Sequence, residues 1–270
     1  MKKMLFICMV GSLFITSMAT AGEVVSTNIV GYINIPLVRR GFTFTGPTFV
    51  PVLTDGSAAK LGDVVSANDI FSPFEDSIQI FNAAGGLVAK ATYISQAVLD
   101  EFEIEDVAAG WWDLDDVDFE HGDLNDTPLK YGWSVTAYTQ YSGATLIYAG
   151  EVVQGINEIP LGRREFTFTC NTSPVDLTLG DIIANDNFSP FEDSIQIFDS
   201  NGDLIAKATY ISQALLDEFE IEEVAPGWWS LDDVDFEHGD LNHIAMPAGR
   251  ALTAYTQYAN ASLIVPSPMN

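Results

Sequence analysis

The residues of this chain that could do chemistry are carboxylates, and they are concentrated twice. Between Asp100 and Asp126 stand twelve Asp and Glu with no Lys or Arg, and between Asp217 and His243 stand ten, so two windows hold 22 of the 38 acids. The centre of the first reads Leu-Asp-Asp-Val-Asp-Phe-Glu-His-Gly-Asp-Leu-Asn from Leu114 to Asn125, and the same string recurs from Leu231 to Asn242. Asp116, Asp118 and Glu120 alternate with Val117 and Phe119, which puts three carboxylates on one side of an extended segment. Such a row repels itself. A hard divalent cation relieves the repulsion, and Ca²⁺ accepts about six to eight oxygen ligands in loose geometry. The candidate ligands are Asp115, Asp116, Asp118, Glu120 and Asp123, with Asp232, Asp233, Asp235, Glu237 and Asp240 in the second string. The spacing departs from the EF-hand rule, because Gly122 comes one place late and no glutamate closes the loop. The competing reading is a solvated acidic loop that keeps an apolar protein soluble.

Two further residue types carry weaker signals. Trp111-Trp112 and Trp228-Trp229 could stack on sugar rings while neighbouring carboxylates bond to hydroxyls. Alternate residues of a strand point opposite ways, so at most one tryptophan of each pair is expected at the surface and the other in the core. His121 and His238 lie in equivalent Glu-His-Gly-Asp strings, and a zinc site needs more nitrogen or sulfur ligands than these supply, so they are expected as turn residues. The sequence has no G-x-S-x-G, no H-E-x-x-H and no phosphate-cradling glycine loop, and the chain is expected to be non-enzymatic. A carboxylate pair for glycoside hydrolysis depends on separation in space, which sequence does not fix.

The elements that must position these residues follow from composition and repetition. Of 270 residues, 47% are hydrophobic, too many for a disordered acidic tail, while a formal net charge of −27 makes nucleic acid a poor partner. Lys2 and Lys3, an apolar run over residues 4–18 and Ala19-Thr20-Ala21 have the form of a signal peptide cut after Ala21. Export to the periplasm or beyond is therefore expected, with no membrane-integral segment in the mature chain. Maturation leaves one cysteine, Cys170, expected to be buried beside Phe168.

The mature chain is one unit written twice. Phe71 to Phe81 and Phe188 to Phe198 are the same eleven letters, and 46 of 55 positions agree across 71–125 and 188–242. The predicted organisation is a signal peptide over 1–21 and two tandem domains, 22–149 and 150–270, packed end to end. Within each copy the period is two: Ile29 to Leu37, Phe42 to Thr45, Ser77 to Phe81, Leu87 to Ile94, Ser134 to Tyr141 and Ala144 to Tyr148 read as strands. One helical turn is predicted over residues 95–102 and again over 212–219, capped by serine, with Ala97, Val98 and Phe102 inward. The fold class is all-β, with each copy a β-sandwich or a small, partly closed barrel of about eight strands.

The order of elements resembles a type of uncharacterised, secreted, β-rich module found in repeated form in bacterial envelope and extracellular proteins. The resemblance rests on an opening I-V-G-Y strand (Ile29 to Tyr32), a D-x-I-Q-I-aromatic strand (Asp76 to Phe81) and an aromatic-rich turn (Gly110-Trp111-Trp112). A P-x-G segment (Pro247 to Gly249) and a closing Ala-Gly-Glu-Val (Ala149 to Val152) complete it. The first copy departs from it in having Pro128-Leu-Lys-Tyr-Gly132, and the acidic stretches are heavier than the pattern. It implies location and fold and leaves activity open. The expected function is adhesion or assembly in the envelope or extracellular matrix, with calcium as a candidate stabiliser and an envelope protein or extracellular glycan as partner. The alternative is carbohydrate binding through the tryptophan pairs and acidic loops.

Overall fold

Alternation of apolar and polar residues makes strands here, and the packing decides which alternate set goes inside. A computed structural model of the chain describes residues 30–48, 59–73, 75–116, 122–130, 133–152, 155–190, 192–222, 224–233 and 239–266. The expected signal peptide lies outside them. The first copy contributes β1 (Val30–Pro36), β2 (Gly41–Thr45), β3 (Val65–Ala67), β4 (Ser77–Phe81), β5 (Leu87–Ile94), β6 (Gly110–Asp113), β7 (Ser134–Thr139) and β8 (Thr145–Glu151). They form antiparallel sheets in the orders β1-β8-β3 and β2-β7-β4-β5-β6. The second copy repeats this with β9 (Ile156–Pro160), β10 (Glu165–Cys170), β12 (Ile183–Ala184), β13 (Ser194–Phe198), β14 (Leu204–Ile211), β15 (Gly227–Ser230), β17 (Ala251–Thr256) and β18 (Ser262–Pro266). Their orders are β12-β18-β9 and β10-β17-β13-β14-β15. It adds a two-stranded ribbon of β11 (Leu177–Thr178) and β16 (Ala245–Met246), where the first copy has only the bridge Lys60↔Pro128. The chain is thus mostly β, in antiparallel sheets, as the period of two predicts.

Helices are few and short among the described residues: α1 (Leu61–Val64), α2 (Gln96–Glu101), α3 (Gln213–Glu218) and a 3₁₀ turn at Leu179–Asp181. The serine caps form as expected, since Ser95 accepts from the Val98 amide and Ser212 from that of Leu215. The inward face is different. Leu99 and Leu216 are buried, whereas Ala97 is exposed and Phe102, like its counterpart Phe219, is 57% exposed. Val98 and Leu215 are half-buried and pack against the same side cores, so of the expected inward set only Val98 reaches the sheet beneath.

Two main hydrophobic clusters form, each drawn from both main sheets of one copy. Ile78, Ile80, Val135, Leu146 and Trp111 meet in the first, and Ile195, Ile197, Leu252, Leu263 and Trp228 in the second. The first cluster includes Val152, and β8 runs to Glu151 opposite Val30, so packing of the first copy extends beyond the expected boundary at residue 149.

The copies are not simply strung end to end. In β2 and β10 the threonines face inward: Thr43, Thr45, Thr167 and Thr169 are at most 1% exposed. The phenylalanines therefore face outward, and they meet across the copies. Phe44 stacks on Phe198 with ring centroids 6.1 Å apart, and Phe168 stacks on Phe81 at 6.4 Å. The Phe168 amide donates to the Ala83 carbonyl at 2.9 Å, joining the copies through the backbone. Ser134 and Thr136 of β7 are buried although their neighbour Val135 already faces a core, and they line a cavity of about 250 Å³ at this seam together with Phe42, Phe44, Phe81 and Phe168. Cys170 is buried as expected, at this seam, with its thiol 3.5 Å from the Pro47 carbonyl. Burial pushes the thiol far above its ordinary range.

The β4–β5 and β13–β14 hairpin turns complete the seam. Gly85 and Gly202 have φ of +77° and +83°, and a Cβ on either would stand 2.4 or 2.3 Å from the Phe168 or Phe44 ring of the other copy. Gly85→Ala and Gly202→Ala should each lose more stability than the roughly 1–2 kcal/mol of a left-handed non-glycine residue. Gly155→Ala, at φ +87° with nothing within 4 Å, supplies the backbone cost alone. Chemical denaturation gives the difference, and the rate of Cys170 labelling by a thiol reagent should rise only in the two seam variants. Equal losses in all three would mean that the rings do not press on these turns.

Candidate functional site

The tryptophan pairs were expected to leave at most one ring at the surface, and the structure leaves none. Gly110-Trp111-Trp112 is not a turn but the start of β6, paired with β5 so that Tyr93 faces Trp111 and Thr92 faces Trp112. Trp111 is fully buried, donates its indole N–H to the Val65 carbonyl at 2.7 Å, and meets Phe71 edge-on at 5.9 Å. Trp112, 5% exposed, points to the opposite face and packs with Ile94 and Leu99 beneath α2. Its N–H reaches the Ala108 carbonyl. Trp228 and Trp229 repeat both placements, donating to the Ile182 and Ala225 carbonyls. The strand lies between a main core and a helix-covered side core, so both of its faces are dry, and the expected sugar-stacking platform of Trp111, Trp112, Trp228 and Trp229 is not presented.

The described ends of each acidic string are joined by their own carboxylates. Asp116 accepts from the Gly122 amide at 2.7 Å, and Asp233 from the Gly239 amide at 2.6 Å. Asp123 and Asp240 each accept from the amide two residues ahead, Asn125 and Asn242, at 2.8 Å. Asp115 and Asp232 are exposed, and their amides are held by the side chains of Asp113 and Ser230. Asp118, Glu120, Asp235 and Glu237, with His121 and His238, lie outside the described residues. Among the described residues no three His, Cys, Asp or Glu side chains gather at a metal's reach. The loop is tied to the tryptophan strand by Asn125, whose side-chain oxygen accepts from the Trp111 amide at 2.9 Å; Asn242 does the same for Trp228.

A second constellation escaped sequence reasoning. Arg39-Arg40 and Arg163-Arg164 occupy the tight turns before β2 and β10, and they are four of the 11 basic residues of the chain. Arg40 and Arg164 both have φ of +56°. Their amides donate to the Thr139 and Thr256 carbonyls at 2.6 and 2.5 Å, pressing each turn against the end of β7 or β17. Strand β7 stops at Thr139 rather than running on to Tyr141, because the Gln140 amide goes to the Asp76 carboxylate at 2.7 Å instead of a ladder partner. Asp76 is fully buried and also accepts from the Ser72 amide at 2.9 Å and the Thr139 hydroxyl at 2.8 Å. Asp193 holds Ser189 and Gln257 in the same way.

The turn so fixed presents Tyr141, 42% exposed, which donates its hydroxyl to Glu75; Tyr258, 49% exposed, donates to Glu192. That hydrogen bond raises both phenols above their ordinary range. Between the arginine turn and Tyr141 lies an open notch of about 450 Å³, walled also by Ile70, Gln140 and Ser142. The only signal for it in the sequence was the repeated Arg-Arg, which sits among strand residues and carries no recognised motif. No protein-family model matches the chain, and no curated protein matches it.

Asn125→Ala and Asn242→Ala should each cost about 1–3 kcal/mol by leaving the amide of a buried tryptophan without its partner. Asn125→Asp, which keeps an acceptor, should cost less than Asn125→Ala. Near-UV circular dichroism and chemical denaturation check both. A neutral Asn125→Ala would show that the acidic loop is not anchored to β6.

Proposed function

We propose that this chain is an exported, non-enzymatic protein of the envelope or extracellular matrix that works by adhesion or assembly. The observation that carries the reading is that one surface is presented twice at a fixed spacing. Each copy offers the same arginine turn, the same tyrosine–glutamate pair and the same acidic loop, and reciprocal stacking of Phe44 on Phe198 and Phe168 on Phe81 holds the copies together. In this reading each copy is a sandwich of a three-stranded and a five-stranded sheet. Two equal faces in one rigid chain bind a repetitive surface with an avidity that neither face has alone.

The N-terminal pattern and the resemblance to secreted repeat modules support a setting outside the cytoplasm; no helix among the described residues is long and apolar enough to cross a membrane. The acidic loops keep such a protein dispersed, since net charge far from zero opposes non-specific association. Calcium is their proposed stabiliser. At about 100 times its dissociation constant, a cation that binds only the folded chain adds roughly 2.7 kcal/mol per site.

The proposal has two checks. Expression of the full chain should yield an exported product beginning at Gly22, and the labelled mature protein should be retained on isolated envelope or matrix material or sediment as assemblies. A product that is neither retained nor assembled ends the adhesion reading. Melting in calcium should exceed melting in sodium at equal ionic strength, and Asp116→Asn with Asp118→Asn, plus Asp233→Asn with Asp235→Asn, should remove the excess. Coincident calcium and sodium curves would leave the loops as solvated faces only.

A further inference from the structure

We propose that the notch beside Arg39-Arg40 binds a hexuronate: a sugar ring carrying one carboxylate and neighbouring hydroxyls. The inference rests on the adhesion reading for its setting, a glycan outside the cell. Its chemistry comes from the notch itself.

The first observation is electrostatic. The chain has a net charge of −27, yet among the described residues the one ion pair joins Lys60 to Asp126, and no described carboxylate stands within 4.0 Å of these four guanidiniums. Two adjacent cations repel, and in so acidic a protein four of 11 basic residues are held in two equivalent pairs. The second is backbone geometry. Arg40 and Arg164 sit at φ +56°, where glycine or asparagine is at ease and a long side chain is strained. Strain kept at both copies of a turn points to a side chain retained for what its guanidinium does.

The third observation selects the ligand. A guanidinium offers a planar fork of donors that matches a carboxylate. On the other wall Glu75 is held by the Tyr141 hydroxyl, ready to accept hydrogen bonds from a ligand's hydroxyls, and the exposed Tyr141 ring gives an apolar face for sugar C–H groups. A ligand densely covered with sulfate or phosphate would be repelled by Glu75. A neutral sugar would leave the arginine forks unused, and an acidic peptide has few hydroxyls for Glu75. A ring with one carboxylate and several hydroxyls satisfies both walls, and about 450 Å³ lies within the ordinary range for small-ligand sites. The second copy keeps Arg163, Arg164, Glu192, Gln257 and Tyr258, but Asn187 replaces Ile70, Ala259 replaces Ser142 and Glu165 follows the arginines where the first copy has Gly41; the cavity there is lined by Asp186, Asn187, Ser189, Tyr258 and Ala259, so the site is assigned to the first copy.

Isothermal titration of the mature full chain with three probes tests this: oligogalacturonate, its methyl ester, and an oligoglutamate peptide of equal charge. Oligogalacturonate should bind at one site per chain, with affinity falling as salt rises. The methyl ester and the peptide should each bind at least about tenfold more weakly, the loss expected for a missing charge-assisted hydrogen bond. Arg40→Gln with Arg164→Gln should weaken the uronate by about tenfold to a hundredfold. Arg40→Gly with Arg164→Gly should raise the melting temperature while it weakens binding, whereas a structural role for these arginines predicts a lower melting temperature. Equal binding of acid and ester, equal binding of the peptide, unchanged affinity in the arginine variants, or no uronate binding each overturns the assignment. Uronate binding in solution without retention on envelopes would end the adhesion reading and leave this one standing; retention without uronate binding would do the reverse.

Discussion

Phe44 lies on Phe198 and Phe168 lies on Phe81, and these are one contact made twice. Phe44 and Phe168 occupy the same place in β2 and β10, and Phe81 and Phe198 end β4 and β13, so the face that each copy offers is the face it receives. That reciprocity is the rule of a two-fold dimer, here realised within a single chain. Each ring remains partly exposed, so the seam buries less than a core would. Covalent linkage compensates, because tethering two faces raises their effective concentration and lets a modest contact persist. The spacing of every duplicated surface feature depends on this contact, and with it any bivalent action.

A second constraint connects the core to the surface. Asp76 is a fully buried carboxylate with no cation beside it among the described residues, a placement that costs several kcal/mol unless hydrogen bonds offset it. The Ser72 amide, the Thr139 hydroxyl and the Gln140 amide supply them. Those donors are themselves the frame of the notch: Thr139 receives the Arg40 amide, and Gln140 leads into Tyr141. Fixing one buried charge therefore fixes the wall on which the surface chemistry stands, and Asp193 repeats the arrangement.

The acidic loops show how local hydrogen bonding can absorb residues that look reactive. Asp116 and Asp233 spend an oxygen each on a glycine amide across the loop, and Asp123 and Asp240 close short Asx turns. Carboxylates used this way order the backbone on either side of them. Their charge acts at longer range on solubility and self-repulsion, both screened by salt.

The sequence by itself determined the longer strands, the serine-capped helices and the duplication, because these are set by short-range patterns that period and propensity expose, whereas β3, α1 and the tryptophan strand β6 carry no such pattern. Leu87 to Ile94 becomes a strand along its full length, and Ser95 caps the helix that follows. Which face of a strand points inward is not local, and there the sequence was silent. Thr43 and Phe44 alternate equally well in either sense, and only the presence of a second copy, with Phe198 placed to receive Phe44, makes the outward phenylalanine the stable choice. The same holds for both tryptophans of each pair, dry because a strand with a core on either side has no wet face. The arginine turns, the buried aspartates and the tyrosine–glutamate pairs lie up to about a hundred residues apart in sequence, and tertiary structure alone could decide that they meet, since it is the closing of β7 against the turn before β2 that brings them together.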